Sequence, residues 1–245
     1  LSWESIALDI AINVAGWVLS SIFGRGINWG PIIKEILLKT EVIVKQAIDE
    51  NELRKIHAEI EAASRMMAQY VNSPSSTDRV RESYSMITSA NTHLESLGLI
   101  GHPGYLSSIG LNIAILQERV GIDGSGELQN IIDLINDASV HVMSMHEEYE
   151  TWNRRRFKNL RFYTQIIPIG GGGRRVELPA MRYYFDGKRI DKSPMNRADG
   201  QKFFDAHVRS EFDKIKTQMI DPSNKVLEAW EKVKVEAQQR LDNQS

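Results

Sequence analysis

The stretch Tyr105–Val120 (YLSSIGLNIAILQERV) constrains this chain more than any other, because it is apolar nearly all round. Leu106, Ile109, Ile113, Leu116 and Val120 form one stripe at helical spacing, while Leu111, Ala114 and Ile115 widen it round the back. Charge arrives only at Glu118 and Arg119. A helix apolar on every side has to be surrounded, either by other helices or by lipid. A mainly α fold follows, a helical bundle with Gly104–Val120 as its central helix.

The rest of the chain carries the helices needed to sheath it. Ile6–Phe23 is the most apolar run. It is short beside the ~20 apolar residues of a transmembrane anchor and holds Asp9 and Asn13. Glu4 and Asp9 also oppose the basic start of a signal peptide, so it reads as a buried helix. The chain opens on Leu1 rather than Met, as expected of a processed product or of numbering that starts inside a longer one. After a turn signal at Gly24-Arg25-Gly26, Pro31 stands in a first helical turn, followed by Ile33, Ile36, Leu37, Val44, Ala47 and Ile48. Asp49–Glu52 is a polar kink or cap. Leu53, Ile56, Ile60, Ala63, Met67 and Tyr70 then recur at steps of three and four. Pro74 ends that helix, with Ser76 or Thr77 placed to cap the next.

The next segment, Asp78–Leu97, is amphipathic. Val80, Tyr84, Ile87 and Leu94 share one face, and Arg79, Glu82, Ser83, Ser85, Thr88 and Thr92 are read as the polar face. Between it and the central helix, Leu97–Gly104 mixes breakers with apolar Leu97, Leu99, Ile100 and Pro103. Beyond the break at Gly121–Gly126, Leu128, Ile131, Ile132, Ile135, Val142, Met145, Tyr149 and Trp152 mark a long helix. Its basic end, Arg154, Arg155, Arg156 and Lys158, suits the negative end of the helix dipole.

Past Leu160 the character changes to aromatic and β-branched. Asp186-Gly187 between Tyr183-Tyr184-Phe185 and Lys188-Arg189-Ile190 is a two-residue hairpin signal. Two further helices are expected, one with Phe204, Val208, Phe212, Ile215 and Met219, the other with Val226, Trp230, Val233 and Ala237, broken at Pro222. The expected division is a helical bundle over 1–163, a β-hairpin element over 164–195, and a C-terminal helical hairpin packed on the bundle over 196–245.

Catalytic and cofactor chemistry find little footing. With no cysteine, disulfides, Fe–S clusters and thiol nucleophiles are excluded. A net charge of −2 gives no global basic field for nucleic acid. His141 and His146 stand five apart, on different helix faces, and His57, His93, His102 and His207 are scattered, so no metal is expected. Gly170–Gly173 before Arg174-Arg175 lacks the Lys-Ser/Thr and strand–helix frame of a P-loop and reads as a hairpin loop. No GxSxG nucleophile turn is present. The expectation is a non-enzyme without cofactors. The run Arg154–Arg161, with Phe157, Phe162 and Tyr163, is the best patch for an acidic partner or anionic lipid; helix-end charge beside core aromatics is the plainer reading.

The feature that ordinary globular packing explains least is the pair Asp78–Leu97 and Gly104–Val120, one amphipathic and one almost wholly apolar, joined by an apolar Gly/Pro tip. Such a pair is stable in water only when sheathed. Freed, it suits a bilayer, with the polar face of its first helix turned to water in an oligomeric pore.

The order of segments adds to this. Trp17-Val18-Leu19-Ser20-Ser21-Ile22-Phe23-Gly24, then Trp29 and its helix, the long helix to Tyr70, the Pro74 break, the amphipathic helix, the apolar Tyr105–Val120, and Ile131-Ile132-Asp133-Leu134-Ile135 leading to Tyr149-Glu150-Thr151-Trp152 and an Arg-rich run follow in succession. Over residues 1–163 this resembles the N-terminal, pore-forming helical domain of the three-domain insecticidal delta-endotoxins (Cry toxins), and is similar to the helical domain of the Pir B toxins. The resemblance implies a bundle of about seven helices around one central apolar helix. It also implies a secreted or released virulence toxin that acts at a host cell membrane, oligomerises and inserts a helical hairpin. The tip would be Leu97, Leu99, Ile100 and Pro103, the central helix Leu106, Ile109, Ile113 and Leu116, and the pore lining Arg79, Glu82, Ser83 and Thr88. Arg154, Arg155, Arg156 and Lys158 would meet lipid or a partner. The β-rich receptor-binding domains of that family have no counterpart after 163, so recognition is expected from the β element, a separate receptor-binding subunit or a portion not present. The alternative is a non-lytic helical interaction module that docks an acidic partner.

Overall fold

A computed structural model describes residues 3–22, 27–46, 51–159, 163–169, 171, 174–180, 182–191 and 195–244. The helices are α1 (Trp3–Ile22), α2 (Trp29–Gln46), α3 (Asn51–Asn72), α4 (Asp78–Ser96), α5 (His102–Asp123), α6 (Gly126–Arg155), α7 (Arg197–Ile215) and α8 (Asp221–Asp242). The strands are β1 (Phe157–Asn159), β2 (Tyr163–Ile169), β3 (Arg174–Ala180), β4 (Tyr183–Phe185) and β5 (Lys188–Arg189). The chain forms two compact units, Leu1–Met145 with Gln218–Ser245, and His146–Thr217.

The first unit is a helical bundle, though it stops at Met145 rather than at 163 and takes in the C-terminal α8. Among the described residues seven helices build it: α1 to α5, the N-terminal part of α6, and α8. α5 is its axis, and every residue from His102 to Leu116 is buried. Contacts from α5 reach all six others. Gly110 lies against Val14 of α1, Glu118 takes Trp29 of α2 and Tyr70 of α3, and Ser108 meets Asn91 of α4. Tyr105 stacks on His141 of α6, and His102 bonds Ser223 of α8. α5 starts at His102, earlier than the expected Gly104, because Pro103 fits a first helical turn, where no amide hydrogen is needed.

The sheath helices follow their own periods. In α1 the exposed residues Asp9, Asn13, Gly16 and Ser20 fall at steps of three and four on one stripe, and Ile6, Ile10, Val14 and Val18 face the core. In α3 the buried positions include all six expected ones, with His57 and Ser64 beside them. In α2 the stripe differs from the expectation. Ile32, Ile36, Thr40 and Ile43 are buried, while Ile33 and Leu37 are only half-buried. Of the remaining expected positions, Ala47 and Ile48 lie outside the described residues, as do Phe162 and Arg161 of the basic run. Thr77 does precede α4, but its side chain makes no capping bond; the backbone carbonyls of Ser76 and Thr77 take the amides of Arg79 and Val80.

At the C-terminus the expected break at Pro222 is absent as a loop. α7 runs into α8 through a π turn, Lys216–Ile220, with no non-helical residue between. Proline lacks the amide hydrogen and its ring crowds the carbonyl four residues back; a widened π turn ahead of it relieves that clash without ending the helix. The expected helical hairpin is thus a continuous run whose α8 packs on α1, with Val226, Trp230, Val233 and Ala237 buried.

The second unit holds the β structure. β4 and β5 form the expected hairpin, and positive φ at Asp186 (46°) and Gly187 (77°) gives the primed turn that an Asp-Gly pair favours. β1, which the aromatic pattern did not reveal, pairs with β4. β2 and β3 form a second antiparallel ladder from Tyr163–Ala180 to Ile169–Arg174; Gly170, Gly172 and Gly173 between them lie outside the described residues. Phe157, Tyr183, Phe185 and Phe204 pack ring against ring, with Tyr183 fully buried. Asp191 accepts from the Tyr183 amide at 2.8 Å and from Arg189 at 2.8 Å. Burial pushes its carboxyl up, but the guanidinium and the amide outweigh that and hold it below the usual carboxylate range.

Candidate functional site

The α4–α5 hairpin is built from one helix with a wet face and one with none. α4 buries Val80, Ser83, Ile87, Ala90, Asn91 and Leu94. Arg79, Glu82 and Thr88, three of the four residues expected to line a pore, are exposed. Ser83 is not with them: it is fully buried, and its hydroxyl donates to the Ala63 carbonyl of α3 at 2.9 Å. It stands three residues after Val80 and four before Ile87, so helical spacing alone places it on the buried stripe.

The tip is tighter than its composition implied. α4 ends at Ser96 with Leu97 as its C-cap, and Gly98 takes a positive φ of 59°, the left-handed step that closes many helices. The expected tip residues divide. Ile100 is 53% exposed, Leu97 and Leu99 are half-buried, and Pro103 is buried in the first turn of α5.

Polar bonds of the hairpin fall into two groups. The first lies inside it. Arg81 of α4 reaches Asp123 of α5 at 2.6 Å, and the Ser108 hydroxyl donates to Asn91 Oδ1 in the buried seam. The second ties α5 to its sheath. Glu118 accepts from Trp29 Nε1 at 2.9 Å and from the Tyr70 hydroxyl at 2.8 Å. Burial, then the hydrogen bond and charge of Glu118, push the Tyr70 phenol up to about 12. Arg119 pairs with Glu127 of α6 at 2.9 Å. A hairpin leaving the bundle would keep the first group and break the second.

No family model, curated protein or solved structure matches this chain. Among the described residues no helix is long and apolar enough to cross a membrane, and no cluster of potential metal ligands occurs.

The basic residues singled out in the sequence lie in the second unit. Arg154 pairs with Glu150 at 3.1 Å, and Arg155 with Glu148 at 3.9 Å. Arg156 grips Asp186 at 2.6 Å and stacks on Trp152 and Phe185. Lys158 lies on β1 opposite Tyr184. The groove between α6 and α7 is lined by Glu150 and Asp205 as well as Arg154 and Arg209, so its field is balanced rather than basic.

What the sequence did not reveal is a gathering of histidines at the tip end. His57 of α3 is 1% exposed, and its ring abuts Gly104, where an added Cβ would sit 3.1 Å from its Cε1. His102 is fully buried, and its Nε2 lies 3.2 Å from Ser223 Oγ. Ser223 spends its one hydroxyl hydrogen on the Met219 carbonyl at 2.6 Å, so His102 Nε2 must be the donor to it. His141 stacks on Tyr105 with centroids 4.4 Å apart. His57 was legible in principle, being four residues after Leu53 and three before Ile60.

Proposed function

We propose that this chain is a pore-forming toxin of the insecticidal, delta-endotoxin-like type, a secreted or released protein that oligomerises at a target-cell membrane and inserts the α4–α5 hairpin. The observation that carries this reading is the unbroken burial of His102–Leu116 inside six other helices, in a segment bonded to α4 by contacts that would travel with it. At 1.5 Å per residue the 22 residues of α5 reach about 33 Å, against a hydrocarbon core of about 30 Å. No described helix is apolar enough to cross alone, so the inserted species in this reading is an oligomer of hairpins. In it α5 meets lipid and the Arg79, Glu82 and Thr88 face of α4 lines water. Target recognition would fall to a separate receptor-binding subunit or to the β-containing unit.

The other reading, a non-lytic module docking an acidic partner through Arg154–Lys158, gains less support. Arg154, Arg155 and Arg156 already face Glu150, Glu148 and Asp186. Dye release from anionic and neutral vesicles tests the choice. Release that rises steeply with protein concentration is expected; none at any pH or lipid composition would overturn pore formation.

A further inference from the structure

α5 carries one polar side chain that the bundle leaves unserved. Asn112 is 2% exposed, and its Oδ1 has no hydrogen-bond partner among the described residues, a net cost to a soluble core. At about 100° per residue along α5, Ser108 faces α4, Gly104 and Glu118 fall to the side of α3, and Tyr105 falls to the other side, against α6. Asn112, four residues after Ser108 and seven after Tyr105, stands between the α4-facing and α6-facing positions. On α4, Ser83 turns to the α3 side, where its hydroxyl donates to the Ala63 carbonyl at 2.9 Å. The hairpin thus holds an acceptor without a donor on its α6 flank. On its α3 flank it holds a donor whose partner stays behind when the hairpin leaves.

We propose that these two groups meet between copies: in the oligomer, Asn112 Oδ1 of one hairpin accepts from the Ser83 hydroxyl of the next. The inference rests on the reading of the chain as a pore-former and names the partner at its interface, a second copy of the hairpin. A ring with α4 toward water and α5 toward lipid leaves each hairpin two flanks for its neighbours, the ones that α3 and α6 cover in the bundle. The contact is heterologous, α6 flank to α3 flank, which is the geometry that closes rings. The two residues also lie at comparable depth. Ser108 stands level with Asn91, to which it is bonded. Asn112 is four residues farther from the tip and Ser83 eight, about 6 and about 12 Å, so a stagger of one helical turn between neighbours brings them level. In hydrocarbon neither group has water to turn to, so each gains from the other.

Asn112→Leu separates this contact from a structural role. The soluble variant should resist urea as well as the wild type or better. Its half-maximal dye release from phosphatidylcholine–phosphatidylserine vesicles should nevertheless need ~3- to 20-fold more protein, the range of one interhelical polar bond in a membrane. Cross-linking reads the geometry, since the chain has no cysteine of its own. The variant combining Ser83→Cys and Asn112→Cys should form disulfide-linked dimers, trimers and higher species on vesicles under mild oxidant, and stay monomeric in buffer. Each single variant should stay monomeric on vesicles, and a mixture of the two should give mixed dimers. Asn112→Leu leaking at the wild-type concentration, or a leaking double variant that forms no ladder, overturns the contact and leaves the pore. Clear loss of urea resistance in Asn112→Leu overturns the contact as well, because the oxygen then has a partner in the bundle. No leakage by the wild type at any pH or lipid composition overturns the pore and the contact together.

Discussion

A covalent staple between α5 and α1 puts hairpin release to the test. An ideal Cβ on Gly110 would sit 3.6 Å from Val14 Cβ. Disulfide-bonded residues hold their Cβ atoms ~3.5–4.5 Å apart, so the pair Val14→Cys and Gly110→Cys has the required separation. The chain has no cysteine of its own to mispair. Losing the Val14 methyls costs about 1 kcal/mol, and replacing a mid-helix glycine returns a few tenths. Closing a loop of roughly 100 residues contributes up to ~4.7 kcal/mol in the chain-entropy model. The oxidised protein should therefore melt above its reduced form, by up to roughly 10–20 °C. Both forms should be soluble and equally helical by circular dichroism. The reduced form should release vesicle dye as the wild type does, and the oxidised form should not until reductant is added. Full dye release by a demonstrably oxidised staple would refute the reasoning, because α5 cannot then have left α1.

Three further outcomes follow from single side chains. Glu118→Ala strands the Trp29 and Tyr70 donors and should cost about 3 kcal/mol in urea unfolding, with Glu118→Gln losing roughly half as much; a change under ~0.5 kcal/mol would show that the latch carries no weight. Because His57 is lowered to about 4 in the fold, the unfolded chain binds more protons below its ordinary value of 6.5. Its contribution is therefore complete above that value and falls by about 3 kcal/mol as pH drops to about 4. His57→Gln should flatten the plot of urea midpoint against pH over that window, and an unchanged slope would remove His57 from the account. Asn112 is 2% exposed on α5 with its Oδ1 unbonded, so Asn112→Leu should raise the thermal midpoint or leave it alone, by about 1 kcal/mol of added stability; clear destabilisation would contradict the assignment of that oxygen as unsatisfied.

How far the sequence led depends on what each element had to bury. α5 was legible because a helix with no polar face leaves one solution, and the structure buries it for fifteen consecutive residues. The Asp186-Gly187 hairpin was legible because two positive φ angles demand such residues. α2 was misread by one position because Ile32-Ile33 and Leu37-Leu38 are apolar doublets, and the stripe is completed by Thr40, which hydrophobicity overlooks. The same blindness to small polar residues put Ser83 on the wet face of α4 and missed Asn91 and Ser64, all of which find partners inside the bundle. Spacing would have found them, since each stands three or four residues from a buried apolar neighbour. That His57, His102 and His141 all lie against the first turn of α5 could not be read from the sequence, because it takes three helices to bring them there. Pro222 misled for a different reason: a proline forbids one hydrogen bond, and a π turn yields that bond without a loop.

The composition of α5 reconciles its burial with the finding that no described helix could cross a membrane. Leucine at every position would make a better span, but it would not fit where α5 sits. Gly110 lets α1 approach so closely that an added Cβ would be 3.2 Å from Val14 Cγ1, and Gly104 does the same for His57 and Leu94. Ser107 returns its hydroxyl to the Gly104 carbonyl at 2.8 Å, and Ser108 meets Asn91 within the hairpin, so both polar groups are satisfied without leaving α5 or its partner helix. In water these small residues let six helices close around one. In a bilayer, small residues let helices pack at close range, and a buried seryl–asparaginyl pair need not be broken. A helix selected only for crossing would lack the glycines and serines; one selected only for a soluble core would gain nothing from keeping the bonds of Ser107 and Ser108 inside the hairpin. In the proposed pore α5 would have to meet both requirements, the bilayer one only in the company of α4.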